Sequence, residues 1–348
     1  MKLLKRIAAV LLAVCMILPA TACSMGDTSW VYNYDDVEIT AGMYITFQMN
    51  AYAEIVEHED YNKDLDVWAQ TIDGQTTEEY IRTSAEKMAD EYVATVRKFN
   101  ELGLTLNAAD EKEIDATVAQ YFTGYQDVYE SNGVGEASYR KLIEAQRMRY
   151  RIFLKYYGEG GLEEVPLEDL EVYFRENYAS VNVLSYWLKE EKDDAAKKEN
   201  EEIRAKVEQY QQLIDLGTKS FAQVYDEWQH EMLGTEHTAE ETTYTDAELA
   251  TYLTTDSTYP TEDVIKKVFA LPADGRPHII EAEGTVYLII RYDVMKDAKN
   301  LEEMRNSVLT DIKSDDFLEV LATWSEGYTR TTNEAAYNRY VPKNLKLA

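Results

Sequence analysis

The chain has 348 residues, with 65 acidic and 35 basic side chains and a formal net charge of −30 at pH 7. A surface of this charge repels nucleic acid and anionic lipid headgroups, and no basic stripe compensates, so nucleic-acid binding is excluded. Its two cysteines, Cys15 and Cys23, both lie near the N-terminus. The rest of the chain therefore has no cysteine for an internal disulfide or a cysteine-rich metal site.

The first residues have the features of an export signal. Lys2, Lys5 and Arg6 precede an apolar run over residues 7–17, and small residues lead to Cys23. The run is too short to remain as a membrane-spanning helix. Residues 20–23 (ATAC) resemble the bacterial lipobox, although Ala20 stands where that pattern prefers Leu. The resemblance predicts removal of residues 1–22, lipidation of Cys23 and a membrane-anchored, extracytoplasmic protein; the alternative is an ordinary cleaved signal followed by an unmodified cysteine.

The first part of the mature chain is predicted to be helical after a short hairpin. Residues 30–39 read as two strands around a turn, and Thr40 can cap the helix that follows. Residues 60–75 are polar and are assigned to a loop. Thr76 or Thr77 starts a second helix, in which apolar residues recur every three or four positions: Ile81, Ala85, Met88, Tyr92, Val96 and Phe99.

Two more helices complete this part of the chain. Gly103 is a natural end for the second helix, and Asn107 opens a third that runs to the break at Asn132-Gly133. A fourth helix covers about residues 136–157 and ends at a glycine cluster.

The pattern changes after the glycines. Pro166 begins a helix, and residues 181–188 are strand-like in residue type. The elements that follow are a charged helix at 193–216, short helices at 221–228 and 262–269, strands at 279–280 and 286–290, and a helix at 301–328 with a polar tail. Residues 229–260, rich in Thr and Glu, are assigned no element before 262.

This order predicts a mainly α protein with an α+β insert. The predicted parts are a signal peptide (1–22), a helical domain (23–165), a small sheet-and-helix domain (166–295) and a C-terminal helix and tail (296–348) that pack back on the helical domain.

Several segments resemble the exported foldases of the SurA and PrsA type. Residues 30–40 (WVYNYDDVEIT) resemble their opening hairpin, with Asn33-Tyr34 in place of the usual Asn-Gly turn. Residues 99–115 (FNELGLTLNAADEKEID) resemble a helix-Gly-helix corner, residues 138–181 the long helix and entry to the second domain, and residues 262–294 the second half of a parvulin-like module. The resemblance implies a SurA N-terminal-like chaperone domain built from both chain ends, and a parvulin-like domain with a small antiparallel sheet.

The isomerase pocket that the resemblance implies is degenerate. Parvulin pockets hold a histidine on the first strand and another on the last, but this chain has no histidine between His58 and His230. The resemblance places the following residues at the degenerate peptide-binding pocket: Ser185, Tyr186, Asp226, Val264, Phe269 and Tyr287. Glu283 stands before Gly284 where the family has Ser. We therefore expect weak or absent peptidyl-prolyl isomerase activity, no catalytic residue and no cofactor.

The remaining histidines suggest no metal site. His230-Glu231 and Glu236-His237 fit neither the HExxH nor the HxxEH spacing, and His278 is predicted to be a surface residue. Tyrosine is abundant, with 27 residues against 8 Phe, which suits adaptable recognition of unfolded chains as well as ordinary helix packing.

The sequence therefore predicts a lipid-anchored extracytoplasmic chaperone. Its partners would be newly secreted, unfolded polypeptides, with the membrane reached through the lipid on Cys23 and no metal or cofactor. The alternatives are an active peptidyl-prolyl isomerase of the same family, a solute-binding lipoprotein of a transporter, and an envelope assembly factor with one dedicated partner.

Overall fold

The computed structural model describes residues 29–234 and 244–347, so Cys23, the signal segment and Glu236-His237 lie outside the described residues. The chain forms two compact units. One contains the described residues up to Glu164 together with those from Leu309 onward, and the other is Val165–Val308. The second boundary falls inside a helix, whereas the sequence placed it near residue 295.

The first unit is mainly helical, as the sequence predicted. Its helices are α1 (Ala41–Val56), α2 (Thr77–Glu101), α3 (Ala108–Gly124), α4 (Gln126–Ser131), α5 (Glu136–Tyr157), the later part of α10 (Ala298–Ser325) and α11 (Glu334–Arg339). The predicted start signals of three helices are confirmed. Thr40 accepts the main-chain N–H of Met43, and Thr76 and Asn107 each form a capping box.

Three details of this unit differ from the prediction. Residues 60–75 were assigned to a loop, but they contain a 3-10 turn at Val67–Ala69 and most of a hairpin made by β3 (Thr71–Ile72) and β4 (Gln75–Thr76). The third helix stops at Gly124, and the separate α4 precedes the glycine break. The polar tail is ordered into β9 (Thr331–Thr332), α11 and a 3-10 turn at Pro342–Asn344.

The first unit has a small sheet at its centre. β1 (Trp30–Asn33) pairs antiparallel with β2 (Glu38–Thr40) on one side and with β9 on the other. Around it lies a core that combines residues from both ends of the chain, including Val31, Tyr32, Tyr44, Ala85, Leu142 and Ala336. The C-terminal residues therefore complete the hydrophobic core of the helical unit.

The second unit is built on a four-stranded antiparallel sheet. Its strands are β5 (Tyr178–Trp187), β6 (Thr251–Thr254), β7 (Asp274–Ala282) and β8 (Thr285–Tyr292), in the order β6-β5-β8-β7. The predicted strands at 181–188 and 286–290 lie in this sheet and are direct neighbours. β6 lies in the segment that the sequence left unassigned.

Helices cover both faces of this sheet. α9 (Glu262–Ala270) packs on the face that carries Val181, Tyr287 and Ile289, which we call the α9-side face. α7 (Asp194–Asp215) and α8 (Phe221–Leu233) pack on the opposite face, with Leu184, Tyr186 and Leu288, which we call the α8-side face. α6 (Leu167–Asn177) leads into β5, and α10 begins in this unit. In the described part of the chain, no helix has the length and apolar character required to cross a membrane.

Candidate functional site

The register of β5 and β8 decides where the predicted pocket residues lie. Ser185 pairs with Tyr287, and the next residue, Tyr186, pairs with Val286. Successive side chains of a strand point to opposite faces, so Ser185 and Tyr287 lie on the α9-side face and Tyr186 on the α8-side face.

The other predicted residues divide in the same way. Val264 and Phe269 belong to α9 and pack against the α9-side face, while Asp226 lies on α8. The six residues therefore do not line one pocket. Ser185, Val264, Phe269 and Tyr287 share one face, and the sheet separates them from Tyr186 and Asp226.

Tyr186 is held in a structural contact. Its hydroxyl donates to Glu231 Oε2 across 2.8 Å, and Lys206 Nζ lies 2.5 Å from Glu231 Oε1. Burial, followed by the hydrogen bond to Glu231, raises the pKa of Tyr186 well above its ordinary value of 10.0. Tyr186 thus joins β5 to the end of α8 as a neutral hydroxyl. Asp226 lies one turn earlier on α8, 3.5 Å from His230 Nε2.

Phe269 is fixed by a cation from the sheet. The guanidinium of Arg291 lies 5.3 Å from the centre of its ring, and Arg291 Nη1 donates to the carbonyl oxygens of Phe269 and Leu271, both at 2.6 Å. These carbonyls end α9, where a positive charge is favourable. Val264 is fully buried, so of the two predicted α9 residues only Phe269 reaches the solvent.

One edge of β5 lacks a partner strand along half its length. β6 pairs only with Tyr178–Val181, and from Asn182 onward the described residues provide no strand on that side. The carbonyl of Ser185 points to this edge and accepts the indole N–H of Trp228 at 3.0 Å. A side chain of α8 therefore replaces one hydrogen bond of the missing strand.

The α9-side residues become more exposed toward the end of β5. Val183 and Ser185 are half-buried, and Trp187 is 80% exposed. We call these three residues the β5 strip. An indole left this open to water is a contact group available to a partner, because Trp offers a large apolar surface at low conformational cost.

A histidine that the sequence assigned to the surface lies on the α9-side face. His278 pairs with Ile289, its side chain is 27% exposed, and its Nε2 lies 3.6 Å from Asp274 Oδ1. Strand alternation places His278 on the same face as Ile280, which is buried, so its ring is partly covered where the sequence predicted a surface residue. That alternation was visible in the sequence, but the length of β7 was not.

On the α9-side face, β5 and β8 carry few side chains that could act as an acid or a base near the β5 strip. The facing pairs nearest the β5 strip are Val183 with Ile289 and Ser185 with Tyr287, and neither includes an imidazole or a carboxylate. Such a surface can bind apolar and hydrogen-bonding groups. Neither of these two facing pairs provides the paired acid and base that general acid–base catalysis uses.

His58, Asp60 and Asp73 form the one cluster of three possible metal ligands in the described residues. The main-chain N–H of Asp60 donates to His58 Nδ1 at 3.1 Å, so the ring proton lies on Nε2, which is 3.3 Å from Asp73 Oδ2. Neither ring nitrogen then offers a lone pair to an ion. The cluster is a hydrogen-bonded turn in this arrangement.

No family model and no curated protein matches the sequence. Among solved structures, the chain is similar to foldase protein PrsA from Streptococcus pneumoniae, with 16% identity, coverage of 79% of this chain and 98% of that one, and a TM-score of 0.39. It is also similar to PrsA from Bacillus subtilis (12% identity, 73% and 89% coverage, TM-score 0.34) and to foldase protein PrsA from Lactococcus lactis (12% identity, 90% and 99% coverage, TM-score 0.34). At such identities and TM-scores the likeness says nothing about the activity of this chain.

Proposed function

We propose that this protein is a membrane-anchored, extracytoplasmic chaperone that binds newly exported, unfolded polypeptides and has weak or no prolyl isomerase activity. The observation that carries the proposal is the β5 strip. It leads from the half-buried Val183 and Ser185 to the open indole of Trp187. An extended segment with apolar side chains can lie along such a surface without a deep pocket.

The chemistry of the same face supports the proposed weak or absent isomerase activity. Rotation about a peptide bond has a barrier of about 18–20 kcal/mol, which a pocket must lower by holding the twisted amide. Parvulin pockets place histidines on the first and last strands, whereas β5 and β8 provide Val183, Ser185, Tyr287 and Ile289 on this face. The binding function can persist on such a surface without the catalytic one.

Suppression of aggregation tests the chaperone function. The full mature chain should slow light scattering from a chemically denatured, aggregation-prone model protein. Trp187→Ala combined with Val183→Thr should remove most of this protection, while Leu216→Ala, at a residue that is 79% exposed, should leave it unchanged. Equal protection by all three proteins would show that the binding surface lies elsewhere on the molecule. No protection by the wild-type chain would refute the proposal.

A protease-coupled assay on a prolyl peptide tests the catalytic part. We expect the rate of isomerisation with the full chain to equal the uncatalysed rate. One observation favours the alternative of an active isomerase, because His278 lies beside Ile289 on the α9-side face. Turnover that is lost in His278→Gln and retained in His58→Gln would establish that alternative.

The proposed location depends on Cys23. Expression of the full chain in a bacterial host should give a membrane-bound, lipid-labelled protein, and Cys23→Ser should lose the lipid label. Lipid labelling that persists in Cys23→Ser would contradict the assignment.

A solute-binding lipoprotein receives no support from the fold, because every strand pairing in the described residues is antiparallel whereas α/β lobes are built on parallel strands.

A further inference from the structure

The end of β5 and the β7–β8 turn form one corner of the sheet. Trp187 pairs with Thr285, and the main-chain N–H of Leu188 donates to the carbonyl of Gly284 at 2.7 Å. Glu283 and Gly284 form the turn itself, with positive φ values of 50° and 72°. Hydrogen bonding therefore holds the exposed indole next to the turn that carries Glu283.

Glu283 differs from the acids around it. Glu281 binds Arg204, with the two side chains in contact at 2.8 Å, and Glu231 binds Lys206. Glu283 is exposed, and the described part of the chain provides it with no ion pair. Its carboxylate is therefore available to a cation from outside the molecule.

We propose that Trp187 and Glu283 together bind a lysine or arginine side chain of an extended polypeptide whose neighbouring apolar residues lie on the β5 strip. An ammonium or guanidinium group is attracted to the face of an indole, and a nearby carboxylate provides its counter-charge. This inference rests on the proposed chaperone function and specifies its clients as segments in which basic and apolar residues are close together.

The charge of the whole molecule favours the same class of partner. With a net charge of −30, the chain attracts cationic segments over several ångströms and repels acidic ones, as well as a second copy of itself. This long-range field is screened by salt, whereas the cation–π contact depends less on ionic strength. The two contributions can therefore be separated by experiment.

The test uses fluorescently labelled peptides and anisotropy titrations with the full mature chain. One peptide alternates leucine and arginine, and the other has glutamine in place of arginine. We expect the arginine peptide to bind more tightly, Trp187→Ala to weaken its binding about fivefold, and Glu283→Asn to remove most of the preference for arginine. Asn tolerates the positive φ of this position, and thermal unfolding checks that each variant is folded.

Glu208→Gln provides the matched control, since it makes the same change in net charge at an exposed acid on α7. Equal effects of Glu283→Asn and Glu208→Gln, or no effect of Trp187→Ala, would overturn the inference, while the chaperone function would stand if the peptides still bind. Equal binding of the arginine and glutamine peptides would also overturn the inference and leave the chaperone function standing. If the wild-type chain binds neither peptide and suppresses no aggregation, the chaperone function itself is wrong.

Discussion

The indole Nε1 of Trp228 donates to the carbonyl oxygen of Ser185 across 3.0 Å. This contact joins α8 to the edge of β5 at the position where a fifth strand would otherwise bind. It satisfies a main-chain acceptor that is half-buried and would be costly to leave without a partner. The same contact keeps the edge from pairing with another chain while the side chains of the β5 strip stay partly open to solvent.

Trp228→Phe should therefore lower the free energy of unfolding by about 1 kcal/mol through the lost hydrogen bond, because an aromatic ring still occupies the site but the Ser185 carbonyl loses its donor. Denaturant unfolding, followed by circular dichroism, measures the change. Trp68→Phe is the control, since no hydrogen bond from its indole is found in the described residues. Equal losses of stability in the two variants would mean that ring volume, and not the hydrogen bond, matters at Trp228.

The sequence contained most of the elements but not their register. The starts of three helices were readable because Thr40, Thr76 and Asn107 are capping residues at the head of an apolar periodicity. Nothing in the residues stated that Ser185 faces Tyr287, and a shift by one residue exchanges the faces of all side chains in a strand. For this reason Tyr186 and Tyr287 were placed in one pocket, although the sheet lies between them.

Short elements that pair with distant parts of the chain also could not be predicted from the sequence. β9 has two residues and pairs with Asn33 and Tyr32 at the other end of the chain. A two-residue strand has no periodicity of its own, and its pairing is decided by tertiary contacts. The tail was therefore recognised as a polar segment but not as part of a sheet.

Arg291 should be important for the stability of the second unit. Arg291→Met removes the donors to the carbonyls of Phe269 and Leu271 and should destabilise the unit by about 1–2 kcal/mol. Amide hydrogen exchange should show the increase in exchange rate first in α9. Arg276→Met, at an exposed position on β7, should change the free energy of unfolding by no more than a few tenths of a kcal/mol. It should leave hydrogen exchange in α9 unchanged. Unchanged exchange in α9 of Arg291→Met would show that the helix end does not depend on this cation.

Asp110 should contribute to the acid stability of the helical unit. Its side chain is fully buried, and its carboxylate accepts hydrogen bonds from Arg151 at 2.8 and 2.9 Å and from Arg147. Burial alone would raise its pKa, but the bonds from Arg151, the main chain of Asn107 and Arg147 outweigh that effect and hold the pKa at about 2, against an ordinary value of 3.8. The native carboxylate therefore stays charged at pH values where the unfolded one is protonated.

The pH dependence follows from this shift. The stability due to Asp110 should be complete above pH 3.8 and should be lost as the pH falls toward 2. Asp110→Asn should lower the free energy of unfolding by about 3 kcal/mol at neutral pH, because it leaves two arginines without their shared partner. The difference in stability between this variant and the wild-type chain should shrink below pH 3.8. Asp115→Asn, at an exposed acid, is the control. A deficit that stays constant down to pH 2 would contradict the predicted linkage.

Arg330 should hold the C-terminal tail on the helical unit. Its Nη2 lies 2.6 Å from Glu86 Oε2, its Nη1 lies 3.1 Å from both oxygens of Asp90, and the guanidinium lies 4.8 Å from the centre of the Tyr32 ring. Tyr32 is buried and the three charged side chains are mostly covered, so removal of the cation leaves two acids that keep hydroxyl donors but lose their counter-charge. Arg330→Met should lower the free energy of unfolding by about 2–3 kcal/mol.

Lys343→Met removes a cation from the same tail and is the matched control. Lys343 is 54% exposed and lies 3.2 Å from Glu78, so its loss should cost no more than about 0.5 kcal/mol. Limited proteolysis provides a second measurement, since release of the tail in Arg330→Met should expose residues after 325 to cleavage. Equal stability of the two variants would show that β9 and α11 hold the tail without this ion pair, since their backbone pairing and the burial of Ala336 also join the tail to the core.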